Sequence, residues 1–197
     1  MELRLPSLTQ LQQIYETELK RAFPPAELKP LSSMVRMWQE GKYKPLCLYD
    51  GEDAVGAAFL WMGRPGWAIL DYLCVFEGHR NAGLGEIILR LLPQAEKDTV
   101  IFGEAEAPVH APDPAMAERR LGFYLRNGLR FGGYDTDIFG IHYRTLYLAE
   151  FEVEDEDLMA AHQYIYQSSF TPENYARYVM IPRDPSLPPI PQIPWEQ

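Results

Sequence analysis

Residues 80–85 read Arg-Asn-Ala-Gly-Leu-Gly and join an apolar stretch to a helical pattern. Glycines at such a junction let the backbone approach a ligand closely and adopt φ angles that other residues resist. The helix that follows presents unpaired N–H groups and the positive end of its dipole, which together favour an anion. Arg80 adds a fixed positive charge suited to phosphate oxygens. This segment, the phosphate loop, therefore predicts a phosphate or pyrophosphate ligand, although glycine-rich turns also occur as plain connections.

The sequence on both sides of the phosphate loop predicts alternating strands and helices. Residues 67–76 are apolar apart from Asp71, which is typical of a buried strand. Apolar side chains then recur at helical spacing through residues 85–95. Further segments repeat the alternation, which favours an α/β fold built in layers. They comprise a helix that opens with a capping-box spelling at residues 7–10, a helix over 32–40, a hairpin turning at 50–53, a strand over 99–105, a helix over 117–127, and closing strands over 129–134 and 142–148.

The character of the sequence changes beyond residue 150. An acidic run at 152–157 suits the N-terminal end of a helix that extends to about residue 168. Prolines recur from residue 182 to 194 and predict an extended, loosely held tail. We therefore expect a domain over 1–150 and a C-terminal extension, a helix with a Pro-rich tail, over 151–197.

The spelling of the phosphate loop is more specific than its composition. Arg80, Gly83 and Gly85 form an Arg-x-x-Gly-x-Gly pattern that resembles the Gln/Arg-x-x-Gly-x-Gly/Ala motif of the GNAT (GCN5-related) N-acetyltransferases. The Lys-Ser/Thr ending of a Walker A loop is absent, and the Rossmann glycine order is not met.

Two flanking segments extend the resemblance to about residues 1–150. Residues 70–75, Leu-Asp-Tyr-Leu-Cys-Val, resemble the fourth strand of the GNAT family. Residues 118–129, Glu-Arg-Arg-Leu-Gly-Phe-Tyr-Leu-Arg-Asn-Gly-Leu, resemble a later helix of that family. The resemblance implies the GNAT acyl-CoA N-acyltransferase fold, a mixed and mostly antiparallel central sheet flanked by helices, here followed by the C-terminal extension.

The resemblance also implies acetyl-CoA as co-substrate and no metal. Backbone N–H groups of the phosphate loop are expected to hold the pyrophosphate. The backbone at the end of the preceding strand is expected to bind the pantetheine arm and to polarise the thioester carbonyl. The implied cofactor-binding residues are Val75, Phe76, Arg80, Asn81, Ala82, Gly83, Leu84, Gly85 and Asn127.

The resemblance gives Tyr124 the place of a tyrosine that protonates the departing thiolate; otherwise it is an aromatic core residue. A primary amine must also lose a proton before it attacks, which a carboxylate can accept. Glu104 and Glu106 end a strand and lie on one face of it, so either is a candidate base, unless both are solvated.

Three further residues are candidates for acceptor binding. Asp71 is a charge inside an apolar strand and could clamp the substrate or serve as the base. Tyr134 and Tyr143 lie on the closing strands and could line an acceptor pocket, although ordinary edge-strand side chains would look the same.

Composition limits the partners. The 197 residues carry a formal net charge of −10, which argues against nucleic acid because phosphate binding requires Lys and Arg. We see no signal peptide and no run near the roughly 18 apolar residues that a membrane span needs. The two cysteines lie in apolar segments, as reduced core thiols do in the cytoplasm. We expect a cytoplasmic monomer or homodimer whose acceptor is a small-molecule or peptide amine.

The sequence thus predicts an N-acetyltransferase that moves acetyl from acetyl-CoA to a primary amine by direct attack in a ternary complex. The alternative is a catalytically inactive acetyl-CoA-binding sensor or interaction protein with the same fold. A nucleotide-binding regulatory domain is disfavoured because the phosphate-loop lysine is absent.

Overall fold

The structure, a computed structural model, describes residues 1–25 and 27–190. These residues form two compact units. The first unit comprises Met1–Met62 and Leu70–Asp98, and the second comprises Gly63–Ile69 and the described residues from 99 onward. The predicted boundary at residue 150 stays a prediction, and the described residues beyond it lie in the second unit.

The first unit begins with a short strand and a helix whose start the sequence predicts. Strand β1 is Glu2–Arg4, and helix α1 is Leu8–Ile14. The Ser7 hydroxyl accepts from the Gln10 backbone N–H at 3.2 Å, and the Gln10 side chain accepts from the Ser7 N–H at 2.8 Å. The predicted capping box is therefore confirmed. A π-helical turn, Tyr15–Leu19, and the short helix α2, Lys20–Ala22, continue α1.

The first unit contains a sheet with antiparallel strands on which helices pack. Helix α3, Leu31–Gln39, leads into β2, Tyr43–Asp50, and β3, Asp53–Met62, which form the predicted hairpin. The strand order is β1-β2-β3, followed by the later residues of β4, Trp67–Val75. Helix α4, Leu84–Ala95, packs on β3 so closely that a Cβ at Gly56 would lie 3.0 Å from the Ile88 side chain.

The sheet of the second unit has the order β4-β5-β7-β6-β8. Residues 67–69 of β4 pair in parallel with β5, Val100–Glu106. Strand β7, Ile141–Leu148, lies between β5 and β6, Arg130–Ile138, and is antiparallel to both. Helix α5, Pro114–Arg126, joins β5 to β6. Mostly antiparallel pairing with helices beside the strands confirms the predicted mixed α/β fold class.

The extension packs onto the second unit. Helix α6, Asp155–Gln167, follows the acidic run as predicted and buries one face, formed by Leu158, Ala161, His162, Ile165 and Tyr166. Helix α7, Pro172–Tyr178, and strand β8, Val179–Met180, follow, and β8 pairs with β6.

The tail corrects one expectation. The Arg183 N–H donates to the Asp135 carbonyl at 2.7 Å, and the N–H of the buried Ile190 donates to Asp137 Oδ2 at 3.3 Å. These two bonds hold the Pro-rich segment to β6 at Arg183 and Ile190, while residues 184–189 between them are exposed, so the prediction of a loosely held tail is wrong at these two residues. The rest of the predicted tail, 191–197, lies outside the described residues.

Within residues 1–25 and 27–190, no helix is long and apolar enough to cross a membrane. Cys47 and Cys74 are both buried and free, as the sequence predicts.

Candidate functional site

The phosphate loop has the backbone geometry that its glycines predict. It follows β4 and a short 3₁₀ turn, Glu77–His79, and leads into α4. Asn81 and Gly83 adopt left-handed φ angles of 66° and 74°. No side chain among the described residues caps α4, and residues 80–83 are exposed. An uncapped helix start beside an exposed arginine is suited to an anion.

Space around the loop is open. A Cβ added at Gly83 would meet no atom within 4 Å. Glycine is therefore favoured here by the left-handed φ angle and not by tight packing. Helix α4 still closes its first turn, since the N–H groups of Glu86 and Ile87 donate to the Gly83 carbonyl at 3.1 and 3.3 Å. The N–H groups before them point out of the helix start, where a bound phosphate would accept from them.

The end of β4 is partly engaged within the first unit. Phe76 is buried, and its N–H donates to the Val55 carbonyl at 3.1 Å. Val75 is half-buried. The N–H of Phe76 thus has a partner in β3, and the cofactor roles predicted for Val75 and Phe76 remain predictions.

Asp71 lies in a polar cluster of the first unit that the sequence did not reveal. Its carboxylate accepts from Lys29 Nζ at 2.6 Å and from the Tyr43 hydroxyl at 2.5 Å. The Lys29 ammonium also lies 4.5 Å from the centre of the Trp61 ring. Burial and the charge of Asp71 raise the pKa of Tyr43 well above its usual value. Both oxygens of Asp71 therefore have partners inside the protein, and its substrate role remains a prediction.

The two carboxylates of β5 have different surroundings. Glu104 Oε1 lies 2.7 Å from His162 Nε2, and Glu104 Oε2 accepts from the Tyr166 hydroxyl at 3.0 Å. Glu106, two residues further along the strand, is half-buried and has no hydrogen-bond or ion-pair partner among the described residues. Glu104 is thus fixed by the protein, while Glu106 is available to a ligand.

The two predicted acceptor tyrosines lie on the strands beside β5. The Tyr134 hydroxyl is buried and lies 3.2 Å from His162 Nδ1. Burial, with a smaller contribution from the charge of Glu104, raises the pKa of Tyr134 above its usual range. Tyr143 is half-buried and stands opposite Glu106 in the β5–β7 ladder. The structure therefore places Tyr134 near Glu104 and Tyr143 near Glu106, all within the second unit.

Sequence reasoning missed His162 and Tyr166. Both lie in the extension, which the GNAT resemblance does not cover. The two residues lie four positions apart in α6, in phase with the apolar Leu158 and Ile165. This spacing indicates that they face the sheet. The apolar pattern does not identify Glu104 as the residue that they contact.

Tyr124 and Asn127 lie at the end of α5. Tyr124 is half-buried, its hydroxyl has no partner among the described residues, and burial raises its pKa, against a smaller opposite effect of Arg120. A phenol that stays protonated is suited to give up a proton to a stronger base. Asn127 donates through Nδ2 to the Phe123 carbonyl at 2.8 Å and ends the helix, and Gly128 follows with a φ of 88°.

The described residues form no metal centre. In residues 1–25 and 27–190, no group of three or more His, Cys, Asp or Glu side chains is arranged to hold a metal ion.

Comparison with known sequences gives a short match. No protein-family model matches the chain. A segment of 59 residues, 30% of this chain, is 39% identical to an uncharacterised N-acetyltransferase, YjcF, of Bacillus subtilis strain 168. The match spans 41% of the length of that relative.

Comparison with solved structures covers most of the chain. A protein from Bacteroides thetaiotaomicron described as a GNAT-family acetyltransferase matches with a TM-score of 0.67 and 20% identity, over 85% of this chain and all of that one. A chimera of the spermidine N-acetyltransferase SpeG of Vibrio cholerae matches with a TM-score of 0.58 and 12% identity, over 75% and 96%. An acetyltransferase of Bacillus subtilis in complex with CoA matches with a TM-score of 0.51 and 14% identity, over 76% and 97%.

These identities are low enough that the likeness concerns the fold. The motifs and the architecture agree nonetheless, because the phosphate loop lies between β4 and α4 and the second motif forms α5. The chain therefore has the fold of the GNAT acetyltransferases, the superfamily that its two motifs resemble.

Proposed function

We propose that the protein is an acetyl-CoA-dependent N-acetyltransferase whose acceptor is a primary amine. The observation that carries the proposal is the geometry of the phosphate loop. Left-handed backbone at Asn81 and Gly83 stands at an uncapped helix start, within an Arg-x-x-Gly-x-Gly motif. A Cβ added at Gly83 would meet no atom within 4 Å, so tight packing does not account for a glycine at this position.

The cofactor follows from the charge of the loop. A pyrophosphate carries negative charge that the helix start and Arg80 both attract. The CoA complex of the structurally similar Bacillus subtilis acetyltransferase supports CoA as the molecule that brings this pyrophosphate. Acetyl-CoA would be a co-substrate, bound at the start of each turnover and released as CoA after its acetyl group has been transferred.

The reaction we propose is direct transfer. The neutral amine attacks the thioester carbonyl carbon, the new C–N bond forms, and the C–S bond breaks with its electron pair leaving on sulfur. A carboxylate of β5 takes the proton that the amine loses, and Tyr124 gives its proton to the departing thiolate. The raised pKa of Tyr124 supports this role, because it keeps the phenol protonated at neutral pH.

The acceptor is proposed from charge. Glu106 is a half-buried carboxylate with no partner among the described residues, and the whole chain carries a net charge of −10. Both features favour a substrate that arrives as an ammonium ion. Spermidine, which the similar Vibrio cholerae enzyme acetylates according to its name, is one such amine, and a peptide amine is another.

A CoA-binding sensor without chemistry is the second candidate. It is favoured by Glu104, whose carboxylate is already engaged by His162 and Tyr166. A sensor would bind acetyl-CoA as tightly as an enzyme does, and would release no CoA.

Two measurements separate these cases. Saturating acetyl-CoA at 100 times its dissociation constant adds about 2.7 kcal/mol of stability, a rise in melting temperature of roughly 5–11 °C for a chain of this size. CoA release is then followed with spermidine and with a short peptide that has a free N-terminus. A shift with release supports the enzyme, a shift without release supports the sensor, and no shift contradicts both.

A further inference from the structure

The proposed base and a proposed acceptor residue are joined through a side chain of the extension. His162 of α6 is fully buried, with Nε2 2.7 Å from Glu104 Oε1 and Nδ1 3.2 Å from the Tyr134 hydroxyl. The edge of the Phe102 ring packs against the imidazole at a centroid distance of 5.0 Å. The ring is therefore held from three sides, and all of these residues belong to the second unit.

The chemistry of the partners settles which way the hydrogen bonds run. A carboxylate accepts and does not donate, so His162 Nε2 carries the proton in the bond to Glu104. In a neutral imidazole Nδ1 then accepts, and the Tyr134 hydroxyl is the donor. Tyr166, one helical turn beyond His162, donates to the same carboxylate at 3.0 and 3.2 Å. Helix α6 thus directs two donors at Glu104.

The two donors orient the Glu104 carboxylate, which can still accept further hydrogen bonds. Two oxygens offer about four lone-pair positions, and the two donors from α6 leave some of them free. The Glu104 side chain is 13% exposed, so solvent or a ligand can still reach it. A carboxylate fixed in this way needs no rotation before it accepts a proton, which is how a positioned group contributes to the rate.

We infer that the C-terminal extension is part of the catalytic apparatus, with His162 as the positioning residue that orients Glu104 as the base. This inference rests on the proposed acetyltransferase function. The proton that the acceptor ammonium loses bonds to a carboxylate oxygen of Glu104 and passes to solvent after the amide product leaves. Glu106, which has no partner among the described residues, is left to attract the ammonium ion.

Two amide substitutions at His162 test whether this side chain orients Glu104 or only fills space in the core. In His162→Gln the amide nitrogen takes the place of Nε2 and keeps a donor for Glu104. In His162→Asn the shorter side chain places its amide near Nδ1 and leaves Glu104 without that donor. We expect kcat for CoA release, with acetyl-CoA and spermidine or the free-amine peptide, to fall about 100-fold in His162→Asn, at the low end of what a positioned base contributes. The Gln variant is expected to recover most of that loss.

A second pair of variants protects the test against misfolding. Tyr166→Phe removes only the second donor to Glu104 and should lower kcat about 10-fold, a fraction of the contribution of the base. Tyr164→Phe, on the exposed face of the same helix, is the matched control and should match the wild type. In all four variants the KM for acetyl-CoA and the melting shift with acetyl-CoA should stay at the wild-type value.

The outcomes separate the inference from the function on which it rests. Equal kcat in His162→Asn and His162→Gln, a loss confined to the KM for acetyl-CoA, or a Tyr166→Phe variant as active as its control would overturn the positioning role and leave the acetyltransferase proposal intact. A wild-type protein that releases no CoA with either acceptor overturns both.

Discussion

Lys29 Nζ lies 2.6 Å from Asp71 Oδ1, and the two side chains are only 9% and 11% exposed. The Tyr43 hydroxyl donates to the other carboxylate oxygen, so each charged atom of Asp71 has a partner. This cluster ties the segment before α3 to strand β4 within the first unit. Removing one partner of a nearly buried ion pair destabilises a protein far more than replacing both partners with apolar residues.

The first prediction concerns that ion pair. Asp71→Asn leaves the Lys29 ammonium buried without its counter-charge, and the free energy of unfolding should fall by about 3–5 kcal/mol. The triple variant Lys29→Met/Tyr43→Phe/Asp71→Leu should recover most of the loss, because it removes both charges together with the buried hydroxyl that donates to Asp71. Urea unfolding of the three proteins measures this. An Asp71→Asn protein that is fully stable yet inactive would instead assign Asp71 to the substrate.

The second prediction concerns the phosphate loop. Gly83→Val places a β-branched side chain at a φ of 74°, and it fills the open space where a pyrophosphate would lie. Backbone strain should lower the stability by about 1–3 kcal/mol, and the melting shift with acetyl-CoA should disappear.

Gly51→Val is the matched control for this variant. Gly51 lies in the β2–β3 turn, with a φ of 62° and no atom within 4 Å of an added Cβ. It should cost a similar amount of stability and keep the full acetyl-CoA shift. If both variants keep the shift, the loop does not hold the cofactor.

Local features could be predicted from the sequence because their causes are local. The capping box at Ser7, the hairpin turn at residues 50–53 and the glycine after α5 each depend on residues within one turn of one another. The phosphate loop belongs with them, since its φ angles follow from its own glycine and asparagine.

Partners from distant segments could not be predicted in this way. Asp71 stood out as a charge inside an apolar strand and Glu104 as a carboxylate at a strand end, yet Lys29 lies 42 residues before the first and His162 lies 58 residues after the second. Only the packing of helices on the sheet brings these side chains together. The attachment of the Pro-rich segment at Arg183 and Ile190 was missed for the same reason, because composition does not show that β6 offers acceptors to their main-chain N–H groups.

The third prediction concerns the stability of the folded protein at alkaline pH. Burial raises the pKa of Cys47 and of Cys74 to about 12, from an ordinary value of 9.0. Between these values the folded protein holds protons that the unfolded chain has lost, so this contribution to stability is complete below pH 9 and declines as the pH rises toward 12. The slope is about 1.4 kcal/mol per pH unit for each thiol.

Alanine variants isolate this contribution from that of other groups. In a Cys47→Ala/Cys74→Ala protein, the free energy of unfolding should fall less steeply between pH 8.5 and about 10.5 than in the wild type. Neither thiol of the folded protein should react with a thiol reagent at pH 8, because the thiolate is the reactive form. Rapid labelling of Cys74 in the native protein would contradict the raised pKa of its thiol.

The fourth prediction separates an enzyme from a sensor at Tyr124. Burial raises the pKa of this phenol and its hydroxyl has no partner among the described residues, so Tyr124→Phe removes a proton donor without breaking a hydrogen bond of the folded protein. We expect kcat for CoA release to fall about 100-fold, as for loss of a general acid, with an unchanged KM for acetyl-CoA and an unchanged melting temperature. Tyr175→Phe, on α7, is the control for the loss of a partly buried hydroxyl, because burial also raises the pKa of that phenol, against a smaller opposite effect of its hydrogen bond with Gln167, and it lies outside both motifs. Full turnover in Tyr124→Phe would leave protonation of the thiolate to water or another group. A parallel loss in Tyr124→Phe and its control would point to packing rather than proton transfer.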